Sequence, residues 1–259
     1  MNIRRLWPVA FSALLTACAA GAEVMRWTVD GRVRKALVFP PTTGGGKAPV
    51  VFAFHGHGAN MCQAAWCMAF QKAWPEALVV YMQGLPTPSG IDPCGLLRGW
   101  QHYRDEKCGR DLKFFDAVLS TLRQKYPVDD RHIYATGFSN GAHFTYLLWV
   151  ERGKTFAAFA PCAGLIWCGL HLTEPRSALH LGGQRDLLVK IRDQEKTIET
   201  VRQLNGATGQ GTSCGPYCIH YSSTPPGTPV ETYLHPCGHV FPRGATERIV
   251  RFFKEYSQT

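Results

Sequence analysis

The chain has 259 residues, of which 45% are hydrophobic and 18% are charged. This composition excludes an intrinsically disordered protein, and the length suffices for one large domain with a sizeable core. The formal net charge is +9, from 28 basic and 19 acidic residues. Because no run of lysines or arginines alternates with aromatic residues, the sequence predicts no nucleic-acid partner.

The first 22 residues have the layout of a secretory signal peptide. Arg4 and Arg5 precede an apolar segment at residues 6–15, and small residues follow it. Cleavage after Ala-Gly-Ala at 20–22 is one interpretation; the other is a lipobox at 15–18, with Cys18 carrying the lipid. Both predict export of residues 23–259, as a secreted or periplasmic protein or as an outer-membrane lipoprotein. Loss of two arginines and no acid then lowers the charge to +7.

Ten cysteines in an exported chain predict disulfides. Sequence neighbours suggest four pairs: Cys62 with Cys67, Cys94 with Cys108, Cys162 with Cys168, and Cys214 with Cys218. Cys237 is then left over, although spacing alone does not fix connectivity. The alternative is zinc binding by Cys214, Cys218, His220, His235, Cys237 and His239. That spacing matches structural zinc sites poorly, so no metal is predicted.

The hydrophobic pattern predicts an α/β fold in a single domain. Asp30-Gly31 between the apolar runs 24–29 and 33–39 predicts a hairpin. Buried strands are predicted at 49–54, 77–82, 132–138, 156–160, 178–181 and 230–234. Amphipathic helices are predicted at 111–126, 190–205 and 245–256. Strands that alternate with helices indicate a mostly parallel sheet with helices on both faces.

The most informative motif is Gly137-Phe138-Ser139-Asn140-Gly141. It follows the predicted strand 132–138 and precedes a helix-like stretch at 142–151. A sharp strand-to-helix reversal with small flanking residues holds the apex serine above the sheet, as in a nucleophile elbow. Ser139 is therefore the predicted nucleophile.

A serine needs a base, and the base needs a carboxylate to hold it. His239 lies between the last predicted strand and the last helix, where this fold places its histidine. His235 is the alternative base. Asp186 follows the strand that ends at two glycines and is the predicted acid; its alternative role is to cap the next helix. Asp193 is the weaker rival for the acid.

Ester chemistry also needs hydrogen-bond donors for the oxyanion. One is the backbone N–H after the nucleophile, here that of Asn140. The other is expected in the loop after the third strand, where the glycines around His57 and Gly58 let N–H groups face the pocket. His55 and His57 could be interpreted as two ligands of a metal ion, but the sequence offers no third ligand near them.

Four segments together carry a resemblance to a known family. They are His-Gly-His-Gly-Ala-Asn at 55–60, Tyr-Pro-Val-Asp at 126–129, the segment 131–142 around the serine, and Phe-Ala-Ala-Phe-Ala-Pro at 156–161. Over residues 34–253 the chain resembles the exported feruloyl esterase and polyhydroxybutyrate depolymerase-like group of α/β-hydrolases. The stretch Gly141-Ala142-His143 departs from that pattern, in which a second glycine often follows the elbow.

The resemblance implies an α/β-hydrolase fold, Ser139, His239 and Asp186 as a triad, and oxyanion donors at Asn140 and the His57 region. It also suggests Trp100 as an aromatic wall for the acyl group; a core tryptophan is the alternative. Since the loop 84–101 follows a strand, Gln101 is expected to bind substrate with Trp100, and His55 is added from the neighbouring loop.

The sequence thus predicts a serine carboxylic-ester hydrolase without a cofactor, most simply a monomer, acting on polymer-derived feruloyl or other hydroxycinnamoyl esters of plant polysaccharide. Polyhydroxybutyrate or other polyester depolymerase and acetyl xylan esterase are the enzymatic alternatives. A non-catalytic, envelope-anchored binding protein is the alternative from another class.

Overall fold

A computed structural model describes residues 21–225 and 227–256 of the chain. Nearly all of the predicted signal peptide, including Cys18 and its proposed lipid, lies outside these residues. Within the described part, no helix combines the length and hydrophobicity needed to cross a membrane.

Ten strands form one twisted sheet in the order β1-β2-β4-β3-β7-β8-β9-β12-β11-β10. The six central strands, β4 to β12 in that order, are parallel, whereas β1-β2 and β11-β10 add antiparallel edges. The strands are β1 Glu23–Val29, β2 Arg32–Phe39, β3 Ala48–Phe54, β4 Leu78–Met82, β7 Val128–Phe138, β8 Ala158–Cys162, β9 Ser177–Gly183, β10 Thr212–Gly215, β11 Cys218–Tyr221 and β12 Val230–His235. A small separate ladder joins β5 Leu85–Pro86 to β6 Arg98–Gly99.

Helices cover both faces of this sheet. They are α1 Met61–Met68, α2 Phe70–Ala73, α3 Arg110–Lys125, α4 Asn140–Arg152, α5 Ile191–Leu204 and α6 Ala245–Glu255, with short 3₁₀ turns at Glu106–Gly109 and Gly153–Thr155. One apolar layer contains side chains of α3, α4 and α5, and the other contains those of α1, α2 and α6. The predicted class, a mostly parallel sheet with helices on both faces and an N-terminal hairpin, is confirmed.

The parallel strands bring distant segments to one edge of the sheet. The chain leaves β3 before His57, β7 before Ser139, β9 before Asp186 and β12 before His239. Because the carboxyl ends of parallel strands share one edge, loops separated by up to about 180 positions converge there. Ligands bind at this edge in open α/β sheets.

Two regions differ from the sequence prediction. Residues 205–229, a glycine- and proline-rich stretch in which no strand was predicted, contain the hairpin of β10 and β11, which extends the sheet at its edge. Helix α1 was not predicted; the Asn60 side chain begins it by accepting hydrogen bonds from the N–H groups of Cys62 and Gln63. Both are short elements, and short elements give a weak periodic signal.

The predicted cysteine pairing is correct at one pair. Cys214 and Cys218 form a disulfide that closes the β10-β11 hairpin, so their thiolates are not available to zinc. Within the described residues, Cys67, Cys94, Cys108 and Cys168 are exposed thiols, and Cys162 is a buried one. The predicted disulfide between Cys62 and Cys67 is not formed, because these residues lie five positions apart on α1, on different sides of the helix. The other two predicted pairs are likewise not formed.

Candidate active site

Ser139 occupies the reversal between β7 and α4 in a strained conformation, with φ of 56° and ψ of −120°. Such angles are costly for a residue with a side chain and persist where the surroundings enforce them. The flanking glycines are part of that enforcement. A β-carbon at Gly137 would meet the Gly141 carbonyl, and one at Gly141 would meet the carbonyl of Phe54 in β3. The sequence therefore needs glycine on both sides of the serine.

Ser139, His239 and Asp186 form one hydrogen-bonded series. The Ser139 Oγ lies 2.8 Å from Nε2 of His239, and Nδ1 of the same ring lies 2.7 Å from Oδ2 of Asp186. Since the carboxylate can only accept, Nδ1 carries the proton and Nε2 is the acceptor for the serine hydroxyl. The arrangement places a base beside the hydroxyl and a carboxylate behind the base.

Asp186 is buried and receives several donors in addition to His239. Its Oδ1 accepts hydrogen bonds of 2.9 Å from the N–H groups of Leu188 and Val189. Its Oδ2 accepts a bond of 3.3 Å from Nε2 of Gln194. The alternative role as a cap of α5 is not seen, because Lys190 is the N-cap residue of that helix. The donors instead hold the carboxylate in one orientation.

A second buried series extends from Asp186 into the core. Gln194 Nε2 also donates to the Val189 carbonyl at 2.6 Å, which leaves its Oε1 facing Nε2 of His180 at 3.0 Å. His180 must therefore carry its proton on Nε2, and its Nδ1 accepts from the Tyr146 hydroxyl at 2.8 Å. Each group in this series donates toward Asp186.

We predict that Gln194→Leu lowers kcat for ester hydrolysis about tenfold to 100-fold with little change in KM. The substitution removes a donor to Asp186 and loosens the alignment of His239, and small misplacements have effects of this size. Steady-state kinetics with a 4-nitrophenyl ester measure the effect. Gln203→Leu makes the same change at an exposed position of α5 and should behave as wild type. Equal kcat values for the two variants would show that Gln194 has no positioning role.

The structure excludes one of the three predicted oxyanion donors and leaves the other two as candidates. The Gly58 N–H donates to the Arg98 carbonyl at 2.7 Å, so its prediction as an oxyanion donor is wrong. Asn140 is the first residue of α4, where an N–H has no acceptor within the helix. His57 lies outside helices and strands, and its N–H has no backbone acceptor among the described residues. The N–H groups of His57 and Asn140 remain as the candidate pair.

The side chain of Asn140 serves a different purpose. Its Oδ1 accepts from the Trp100 N–H at 2.7 Å, and its Nδ2 donates to Nε2 of His102 at 3.1 Å. Asn140 thereby connects the start of α4 to the segment after β6.

Three predicted substrate contacts are wrong because the side chains are buried elsewhere. Trp100 is 0% exposed, stacks on Phe144 in the core, and donates its indole N–H to the His55 carbonyl. Gln101, also 0% exposed, accepts the Asp111 N–H at the start of α3. His55 is buried and accepts the Gly84 N–H at 2.9 Å. These residues anchor the loops instead of lining the cavity.

A cavity of about 350 Å³ lies beside Ser139. Its aromatic walls are His102, His143 and Trp167, none of which was predicted to bind substrate. Ile91, Leu165, Leu188 and Val189 add apolar surface, and Lys190 and Asp193 add charge. The departure from the family pattern at Gly141-Ala142-His143 was the sequence signal that could have pointed to His143. Trp167 gave no such signal, since its position depends on the loop after β8.

Comparison with known proteins finds curated relatives that match parts of the chain. No family model matches the chain. Feruloyl esterase C of Emericella nidulans is 26% identical over 191 residues, 73% of this chain and 65% of that protein. A probable feruloyl esterase C of Aspergillus niger is 30% identical over 120 residues, 46% of this chain and 42% of that protein. A bifunctional acetylxylan esterase/xylanase of Neocallimastix patriciarum is 27% identical over 94 residues, 36% of this chain and 14% of that protein. The chain thus covers less than two thirds of each relative.

Solved structures establish the fold. The acetyl xylan esterase from Aspergillus awamori superposes with a TM-score of 0.67 at 12% identity, over 90% of this chain and 99% of that one. The Bacillus cereus carboxylesterase superposes with a TM-score of 0.61 at 16% identity, over 86% of this chain and 94% of that one. The chain has the α/β-hydrolase fold and is related to the feruloyl esterases.

In this α/β-hydrolase fold, the two rival site residues lie apart from the hydrogen-bonded series. His235 is buried, and neither of its ring nitrogens has a partner among the residues described. Asp193 lines the cavity and pairs with Lys196 at 3.0 Å, with no contact to His239. The geometry therefore favours His239 over His235 and Asp186 over Asp193.

Buried histidines give the folded chain a stability that depends on pH. Burial lowers the pKa of His143 to about 3 and the pKa values of His55 and His180 to about 4. In the unfolded chain these groups titrate near 6.5. The unfolded state therefore binds protons below about pH 6.5 that the folded state excludes, so stability falls as the pH drops from about 6.5 toward 4.

We predict that each such histidine costs about 2 kcal/mol of unfolding free energy between pH 7.5 and pH 5. Urea unfolding at both pH values, for wild type and His143→Leu, isolates the contribution of one group. Wild type should lose about 2 kcal/mol more than the variant. Equal losses would mean that His143 is not held neutral in the folded state.

Proposed function

We propose that this protein is a serine carboxylic-ester hydrolase that works through an acyl-enzyme intermediate. The observation that carries the proposal is the hydrogen-bonded series from Ser139 through His239 to Asp186, which opens on a cavity. A strained serine with a base at 2.8 Å is an arrangement suited to nucleophilic attack on a carbonyl.

The reaction follows from the positions of these atoms. His239 Nε2 takes the proton of Ser139 as Oγ attacks the ester carbonyl, and Asp186 stabilises the imidazolium. The N–H groups of His57 and Asn140 stabilise the oxyanion of the tetrahedral intermediate. His239 then donates its proton to the leaving alcohol, and water, activated by the same nitrogen, releases the acid and restores Ser139.

The cavity supports a hydroxycinnamoyl ester as substrate. Trp167 offers an aromatic surface, and four aliphatic side chains line other parts of the wall. Such a surface suits a planar aromatic acyl group better than an acetyl group, which would leave most of the cavity unfilled. Two of the three sequence relatives described above are named feruloyl esterases, which supports this substrate class, whereas the third is named for acetylxylan. The signal-peptide layout of residues 1–22 supports export, and we propose that the exported protein acts as a monomer on esters of plant polysaccharide.

An ester panel tests the proposal. Methyl ferulate, acetylated xylan and hydroxybutyrate oligomers should be offered at equal ester concentration to the exported protein. We expect methyl ferulate to give the highest kcat/KM. Preference for acetylated xylan or for the oligomers would replace this substrate with one of the two enzymatic alternatives. Failure of a fluorophosphonate probe to label Ser139 would favour the non-catalytic binding protein.

A further inference from the structure

His143 is a buried polar side chain without a hydrogen-bond partner. It is 8% exposed, and within the described residues neither Nδ1 nor Nε2 has an acceptor or donor. The ring nevertheless lines the cavity that contains Ser139, one helical turn along α4 from the serine. Buried polar groups are nearly always paired, so an unpaired one beside a catalytic group calls for an explanation.

The ring is neutral at physiological pH because burial holds its pKa near 3. A neutral imidazole has one N–H donor and one nitrogen lone pair. Leaving both unsatisfied destabilises the fold, and an aliphatic side chain of similar size would avoid that cost. A ligand group that pairs with the ring would offset it.

The neighbouring rings of His102 and Trp167 already use their hydrogen-bonding groups within the protein. His102 uses Nδ1 toward Glu106 and Nε2 toward Asn140. Trp167 donates its indole N–H to the Tyr103 hydroxyl, which fixes its ring 5.1 Å from that of His143 and 4.3 Å from that of His102. Of these three rings, His143 is therefore the one with hydrogen-bonding capacity for a ligand. His57 also lines the cavity; its Nε2 pairs with Asp92, and its Nδ1 has no partner among the described residues.

We propose that His143 and Trp167 form a subsite for the ring of the acyl group, in which Trp167 contacts the aromatic face and His143 hydrogen-bonds a ring hydroxyl. The inference rests on the proposed function and makes it more specific, since it requires a hydroxylated aromatic acyl group. A phenolic hydroxyl donates to the unprotonated ring nitrogen or accepts from the protonated one. An acyl group without the hydroxyl leaves His143 unpaired, and sites built for a hydroxyl discriminate against such analogues.

The test compares methyl 4-hydroxycinnamate with methyl cinnamate, which differ by the hydroxyl alone. For wild type we expect kcat/KM to be at least about tenfold higher for the hydroxylated ester. His143→Leu should bring this ratio to about one. His143→Gln keeps a donor and an acceptor and should retain part of the preference.

His235→Leu is the matched control. His235 is equally unpartnered among the described residues but does not line the cavity, so its variant should keep the wild-type ratio. A wild-type ratio in His143→Leu would overturn the subsite and leave the proposed function standing. Wild type that hydrolyses neither ester would overturn the proposed function itself. If His143→Leu fails to fold, a wild-type ratio in His143→Ala would overturn the subsite.

Discussion

Replacing Ser139 with alanine is expected to lower kcat for 4-nitrophenyl ester hydrolysis at least about 10,000-fold, because it removes the hydroxyl that we propose to form the acyl intermediate. Alanine accepts the strained backbone as poorly as serine does, so the unfolding free energy should stay within about 1 kcal/mol of wild type. Stopped assays with highly purified protein and urea unfolding measure the two quantities.

Ser120→Ala is a suitable control, since Ser120 lies on the exposed side of α3. It should retain wild-type turnover. His239→Ala should lose nearly as much activity as Ser139→Ala, because members of such a series act as a unit. More than about 1% residual activity in Ser139→Ala would place the nucleophile elsewhere.

Gly141→Ala should remove activity by a different physical route. The added β-carbon would meet the carbonyl oxygens of Phe54 and His55, which belong to the backbone and cannot rotate away. Either the start of α4 or the end of β3 must move. We expect a loss of about 2 to 3 kcal/mol in unfolding free energy and at least about a 100-fold lower kcat, since the elbow and the Asn140 N–H shift together.

Gly46→Ala provides the matched control, because a β-carbon there meets no atom within 4 Å. That variant should match wild type in urea unfolding and in kcat. Wild-type stability in Gly141→Ala would mean that the contact between α4 and β3 is looser than described.

The positions of Ser139, Asp186 and His239 could be predicted because each follows a buried parallel strand. Apolar runs locate such strands, and parallel topology then brings their ends to one edge. Chain order, serine then acid then histidine, selected the partners. These are local signals combined with one topological rule.

The cavity wall could not be predicted in the same way. Whether Trp100 points into the core or the cavity depends on a contact with Phe144, which is 44 positions away. The Gly58 N–H is not free to bind an oxyanion because it donates to the carbonyl of Arg98 in β6, 40 positions later. Trp167 reaches the cavity through its bond to Tyr103. Long-range contacts of single side chains leave no periodic trace in a sequence.

The two roles of Asn140 have a consequence for how such an enzyme can change its specificity. Its backbone N–H is the candidate oxyanion donor, while its side-chain amide fixes Trp100 and His102 at 2.7 and 3.1 Å. His102 in turn contacts Trp167, a wall of the acyl cavity. Mutations that reshape this wall should therefore displace the proposed oxyanion donor as well. Directed evolution toward a new acyl group should need paired substitutions, one that enlarges or narrows the cavity and one that restores the rate.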